Sequence, residues 1–212
     1  MFKNLLNHLT NSAGSSLTGG VNSALNGAVN SAVNNAVNSA VNAAKSENKT
    51  YTFTSLPQNL NELKALPQAT LTDEFAVAAL SVLALTKFET DREECYRMLD
   101  FLKGPGGPMN PTEQRYISDR FMDGKFYKVN ALFEGATPEN NYTPATPYKI
   151  QVSSNPYSYP ASDRATLYLH SGGADSPRPV TLRKKPSTGQ WFIVQIDYLG
   201  DIRIPAAQDA WR

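Results

Sequence analysis

The chain has 212 residues, of which 41% are apolar and 18% charged, and 20 Lys plus Arg against 19 Asp plus Glu leave a net charge of +1. That balance excludes a global electrostatic pull toward nucleic acid or an anionic membrane, and the lone Cys95 excludes an internal disulfide framework. No apolar run reaches the roughly 18 residues of a membrane span, and Met1–Thr10 lack the apolar core of a signal peptide, so a cytoplasmic location is expected.

Residues 11–44 carry no charged side chain. From Val21-Asn22-Ser23-Ala24 to Val41-Asn42-Ala43-Ala44 a four-residue unit recurs without interruption, and a repeat of this kind sets the architecture of its segment. On a helix, four residues turn about 400°, so the valine row drifts about 40° per unit and cannot stay on one face. A partner following the row would wind right-handed. Three readings are open: a disordered low-complexity leader, a helix that forms on self-association through residues 21–44 or on docking to a partner, and a membrane-surface helix over 1–44. The last has Phe2, Leu5 and Leu6 as large anchors near its start but no basic polar face. Lys45–Thr50 is polar and reads as a linker. The chain thus divides into a leader and linker, 1–50, and a globular domain, 51–212, long enough to bury one core.

Tyr51–Thr54 alternates as a short strand, and Leu60–Leu66, bracketed by Pro57 and Pro67, holds two helical turns at most. The spacing predicts a first long helix over Asp73–Lys87, capped by Thr70 or Thr72. Its run from Phe75 to Leu85 is apolar on all sides, the mark of a buried helix. Thr90-Asp91-Arg92-Glu93 is a capping box for a second helix over 91–103, with Cys95, Met98, Leu99 and Leu102 on one inward face. Asn110-Pro111-Thr112-Glu113 opens a third, to Met122, with Tyr116, Ile117 and Phe121 inward. Beyond Gly124 the signals are those of strands: Tyr148–Val152, Ala165–His170, Val180–Lys184 and Trp191–Ile196, the last two joined across Pro186-Ser187-Thr188-Gly189 as a hairpin. Ile202–Ile204 is expected as an edge. Helices before strands predict an α+β fold, a three-helix layer packed on a small antiparallel sheet.

Chemistry is sparse. Two histidines and one cysteine give no zinc ligand set, and there is no CxxC or HExxH, so no metal or cofactor is expected. His170 reads as a structural or surface residue and Cys95 as packing. Gly104-Pro105-Gly106-Gly107-Pro108 lacks the Lys-Ser/Thr of a phosphate loop and reads as a connector. Two loops are denser in polar groups: Phe133–Pro144, with Glu139, Asn140, Asn141 and Tyr142, and Ser171–Pro179, with Asp175 and Arg178. Such residues serve binding on a rigid scaffold or simply build tight turns. Arg178 has the fork for a carboxylate or phosphate, or it ties the loops together through Glu139 or Asp175. Trp191 and Tyr168 beside Arg183, Lys184 and Lys185 suggest a single-stranded nucleic-acid platform. A solvated edge that discourages strand pairing is the plainer reading. Charge is segregated, with nine basic and thirteen acidic residues over 51–141 and six basic and two acidic over 142–195.

The blocks FEGATPENNYTP, PYKIQVSSNPYSY and SGGADSPRPVTLRKKPSTGQWF, with Ala79–Leu85 and Phe101–Pro105, resemble an uncharacterised bacterial domain family of unknown function, over about Leu56–Trp211. The resemblance implies that the loop blocks matter and brings no activity, cofactor or catalytic residue. The order of helices followed by a sheet with a Gly-x-Trp hairpin is also similar to the cone-shaped nuclear-transport-factor-like folds, an analogy of architecture alone. The expected function is a non-enzymatic module that binds a protein or small ligand through its Pro-rich loops. Two alternatives stand beside it: a hydrolytic enzyme using Glu139, Asp175, Arg178 and His170, and a membrane-surface protein anchored by residues 1–44.

Overall fold

The computed structural model describes residues 46–211 and the single position Val29. Apart from Val29, the leader lies outside the described residues, and with it the readings of residues 21–44 as a self-associating or docking helix and of residues 1–44 as a membrane-surface helix. The chain divides between Ala44 and Lys45 into two units, and the second carries the elements named here. In chain order they are β1 (Asn48–Phe53), α1 (Leu60–Ala65), α2 (Glu74–Leu85), α3 (Arg92–Lys103), α4 (Pro111–Phe121), α5 (Tyr127–Asn130), β2 (Tyr148–Ser153), β3 (Arg164–Leu169), β4 (Arg178–Lys185) and β5 (Gln190–Ile196). The fold is α+β. Its sheet runs β1-β2-β3-β4-β5 with every neighbouring pair antiparallel.

Helix α2 organises the core. Every residue from Phe75 to Leu85 is buried, and the helix touches β1, β2, β3 and β5 as well as α3. The strands answer with an alternating apolar row: Ile150 and Val152, Ala165, Leu167 and Leu169, Val180 and Leu182, Trp191 and Ile193. Period-two alternation with one buried face is what an antiparallel sheet covered on one side requires. The single hydroxyl in the α2 run is satisfied: Ser81 lies 2.7 Å from both the Ala78 carbonyl oxygen and the Tyr198 hydroxyl. Burial drives the Tyr198 phenol well above its ordinary range.

The N-terminus of α2 is anchored from two sides. Asp73 is its cap, accepting from the Phe75 N–H at 3.0 Å and from the Tyr51 hydroxyl at 2.6 Å. Tyr159 donates to Glu74 Oε1 at 2.8 Å. Burial first, then these carboxylates, raise both phenols. The expected cap, Thr70 or Thr72, is corrected: the two threonine hydroxyls bond each other at 3.0 Å. The Asp73 carboxylate has partners on β1 that no threonine would reach.

Three further expectations change. Helix α3 is capped by Asp91, which accepts from Glu94 N at 3.0 Å, so Thr90 lies outside the helix. Asn48–Thr50, read as linker, is the first half of β1, paired through Asn48↔Ser153 and Lys49↔Val152. An edge strand with mostly exposed side chains needs no apolar pattern there. Ile202–Ile204 adds no strand. Ile202 is buried and the Arg203 N–H donates to the Gly173 carbonyl at 2.9 Å, so the segment is held by a loop, not by the ladder.

Cys95 is fully buried on α3, where desolvation pushes its thiol far up. A native chain at pH 8 is therefore expected to leave Cys95 unmodified by a colorimetric thiol reagent until denaturant is added. Stoichiometric labelling within minutes without denaturant would contradict this placement.

Candidate functional site

The two polar loops meet, and their hydrogen bonds close the turn of the first loop and tie both loops to the C-terminal segment. Asn140 Oδ1 accepts from the N–H groups of Thr137 and Thr143 at 2.9 and 3.3 Å, and its Nδ2 donates to the Gly135 carbonyl at 2.8 Å. Asn141 stands in the left-handed region at φ 52° and accepts from Ala207 N at 3.1 Å. Tyr142 follows at φ 54°, fully buried, its ring stacked 5.4 Å from that of Tyr127. Its hydroxyl donates to the Arg203 carbonyl at 2.8 Å, and burial pushes it up to about 12. The second loop presses onto this one. Gly172 donates to the Ala131 carbonyl at 3.0 Å, and a Cβ there would overlap the Ala136 carbonyl oxygen. A Cβ on Gly173 would overlap the Tyr142 hydroxyl.

The charged residues are engaged at the rim. Asp175 pairs with Arg203, and Arg178 donates to the Asp201 carbonyl at 2.8 Å with the Asp201 carboxylate 3.9 Å away. The expected tie of Arg178 to Glu139 or Asp175 is thus replaced by Asp201, which the C-terminal segment brings alongside. The Arg178 Nε is buried without a hydrogen-bond partner. His170 Nε2 lies 3.0 Å from Ser153 Oγ, and burial lowers its pKa. Glu139 borders an open cleft of about 580 Å³ with Arg203, Ile204 and Asp209. Of the four acid/base candidates, Glu139 borders that cleft and Asp175 reaches it through Arg203. Arg178 and His170 are held by Asp201 and Ser153. Trp191 is 4% exposed and belongs to the core.

A different site is assembled beside β5. Helix α3 ends at Lys103, and the next residue, Gly104 (φ 51°), returns its N–H to the Asp100 carbonyl. The Phe192 ring lies against Gly104, where a Cβ would overlap it, so the connector crosses directly over the edge strand. Asp100 Oδ1 then accepts from Met109 N at 2.7 Å, and Asn110 and Glu113 form the reciprocal cap that starts α4. The buried Lys103 ammonium sits 2.6 Å from Glu113 Oε1 and fastens the end of α3 to the first turn of α4.

Between α4 and β5 a gap of about 290 Å³ remains, with Leu99, Met109, Tyr116 and Ile117 on one wall and Ile193, Val194 and Ile196 on the other. It continues past the connector into a cleft of about 670 Å³ bordered by Pro105, Pro108, Phe192, Arg164, Arg183, Lys184 and Lys185. Lys103, Glu113, Ile193 and Val194 line both, so the two form one groove, apolar at one end and basic at the other. Val194 is 43% exposed. It is the extra residue of a bulge, since Thr181 faces Gln195 and Leu182 faces Ile193. A bulge on an edge strand blunts it against indiscriminate pairing while re-aiming a side chain.

Two borders of the basic cleft are visible in the sequence as separate features, a Gly-Pro connector and a basic hairpin edge. Their meeting in space had no local signal. Among the described residues no group of three or more His, Cys, Asp and Glu is placed to hold a metal ion, and no helix is long and apolar enough to cross a membrane. Residues 55–206 match the family model of a domain of unknown function, DUF6935. No curated protein and no solved structure matches the chain.

Proposed function

We propose that this chain, which belongs to the DUF6935 family, is a non-enzymatic binding module whose recognition surface is the groove beside β5. One observation carries the reading. The edge strand turns Val194 outward beside half-buried Ile196, next to a helix that stands away from it, leaving an apolar trough with polar ends. Ligand sites are concave, mostly apolar and bordered by a few placed polar groups. In this reading Asn140 closes its own turn, Asn141, Tyr142, Asp175 and Arg178 brace the C-terminal segment, and the leader is a self-associating or docking element.

The test is selection of random twelve-residue peptides on the immobilised full chain. Wild type is expected to enrich a consensus, and Val194→Asp, a substitution at an exposed position that leaves the core intact, is expected to abolish the enrichment. No consensus, or one indifferent to V194D, would remove the groove as the recognition surface.

A further inference from the structure

We infer that the groove takes an acidic peptide: an extended protein segment that places aliphatic side chains over Val194, Ile196 and Tyr116, above the buried floor of Leu99, Ile117 and Ile193, and its carboxylates against Arg164, Arg183, Lys184 and Lys185. The assignment rests on the groove reading above and adds the chemistry of the partner.

The basic end is built at a cost. Arg164 and Arg183 sit directly opposite each other on β3 and β4, and like charges in that relation destabilise a sheet. Lys184 and Lys185 follow at once, facing Trp191 and Gln190 across the hairpin. The ion pair that relieves this cluster is Arg183 with Asp163, at 3.5 Å. Glu113, which also lines the groove, is taken by Lys103, and Asp197 lies at the far, apolar end. The cluster therefore presents an excess of positive charge beside an apolar trough. A ligand that brings anions to one end and aliphatic groups to the other offsets the repulsion and fills the gap, and such complementarity sets both register and partner choice.

A nucleic-acid strand supplies anions but needs free ring faces on which its bases stack. Here Gly104 lies against the half-buried Phe192 ring, and Trp191 is buried, with Lys184 Nζ 5.5 Å from its ring centre, so no run of open ring faces lies along the basic end. The trough, whose accessible apolar lining is Val194 with half-buried Ile196 and Tyr116, suits a chain that threads along it.

The probe is a fluorescein-labelled twelve-residue peptide with a leucine-rich half followed by a glutamate-rich half, measured by anisotropy on the full chain together with its retro sequence. At least one order is expected to bind. Replacing its Glu by Gln, or using Arg183→Gln/Lys185→Gln protein, is expected to weaken binding about tenfold, the sum of a few exposed charge pairs. V194D is expected to remove it. The double variant should melt close to wild type, because the Arg164–Arg183 repulsion it relieves offsets the exposed Arg183–Asp163 pair it loses, so lost binding is not lost folding. If the Glu and Gln peptides bind equally and V194D still abolishes both, the acidic assignment falls while the groove reading stands. If neither order of the acidic peptide binds, or a twelve-nucleotide single strand binds more tightly, the assignment is overturned.

Discussion

Replacing Leu83 by alanine is expected to lower the unfolding free energy by about 3–5 kcal/mol, measured as a fall in the urea midpoint at constant slope. Leu83 has no exposed surface and sits in a helix buried at every position from Phe75 to Leu85. In an amphipathic helix the cavity left by truncation shrinks as the helix tilts away from solvent. Helix α2 has no such freedom: strands and α3 touch it around its circumference, and Asp73 and Glu74 hold its start through Tyr51 and Tyr159. The cavity therefore stays open and the cost falls at the upper end of the range for this substitution. A loss below about 1 kcal/mol would mean that the helix is not enclosed as described. Val194→Ala, at an exposed bulge, serves as the contrast and should cost less than about 0.5 kcal/mol.

Gly172→Ala is expected to cost about 3 kcal/mol, although the residue lies in a loop. The added methyl overlaps the Ala136 carbonyl oxygen, a backbone atom that cannot rotate aside. Relief requires the loops to part, and parting breaks the Gly172 N–H bond to the Ala131 carbonyl, so overpacking and a lost backbone hydrogen bond add together. The neighbouring contacts propagate the damage, because Gly173 seats the Tyr142 hydroxyl and accepts from Arg203. At Gly189, by contrast, nothing lies within reach of an added Cβ and the demand is only for φ 73°, which asparagine tolerates well. Urea titration of both variants tests the difference. A Gly172→Ala chain within about 1 kcal/mol of wild type would show that the loops are not locked together.

Much of the fold was legible because its signals are local. The all-round apolar run of α2, the inward face Cys95-Met98-Leu99-Leu102 and the turn Pro186–Gly189 each depend on a short window. The errors lie where a distant residue decides between neighbours. Thr70, Thr72 and Asp73 are comparable caps on sequence grounds, and the choice was made by Tyr51 and Lys49, more than twenty positions away. Asn48–Thr50 looked like linker because an edge strand exposes most of its side chains, and only the pairing with β2 reveals it. The polar loops were conspicuous by composition, yet composition does not distinguish an asparagine that binds from one that, like Asn140, closes its own turn. The groove was missed because its walls, Leu99 to Ile117 and Ile193 to Ile196, lie some eighty positions apart.

The pairing of β1 with β2, Phe53 against Tyr148 and Asn48 against Ser153, has a consequence for biosynthesis. The strand made first finds its neighbour only after roughly a hundred more residues have left the ribosome, an interval of about 5–20 s at ordinary elongation rates. For most of it the greasiest stretch of the nascent chain, Phe75–Leu85, is outside the exit tunnel with no sheet to lie on. A polypeptide laid out in this order depends on the cell's holding machinery at the moment of its birth more than its finished form would suggest.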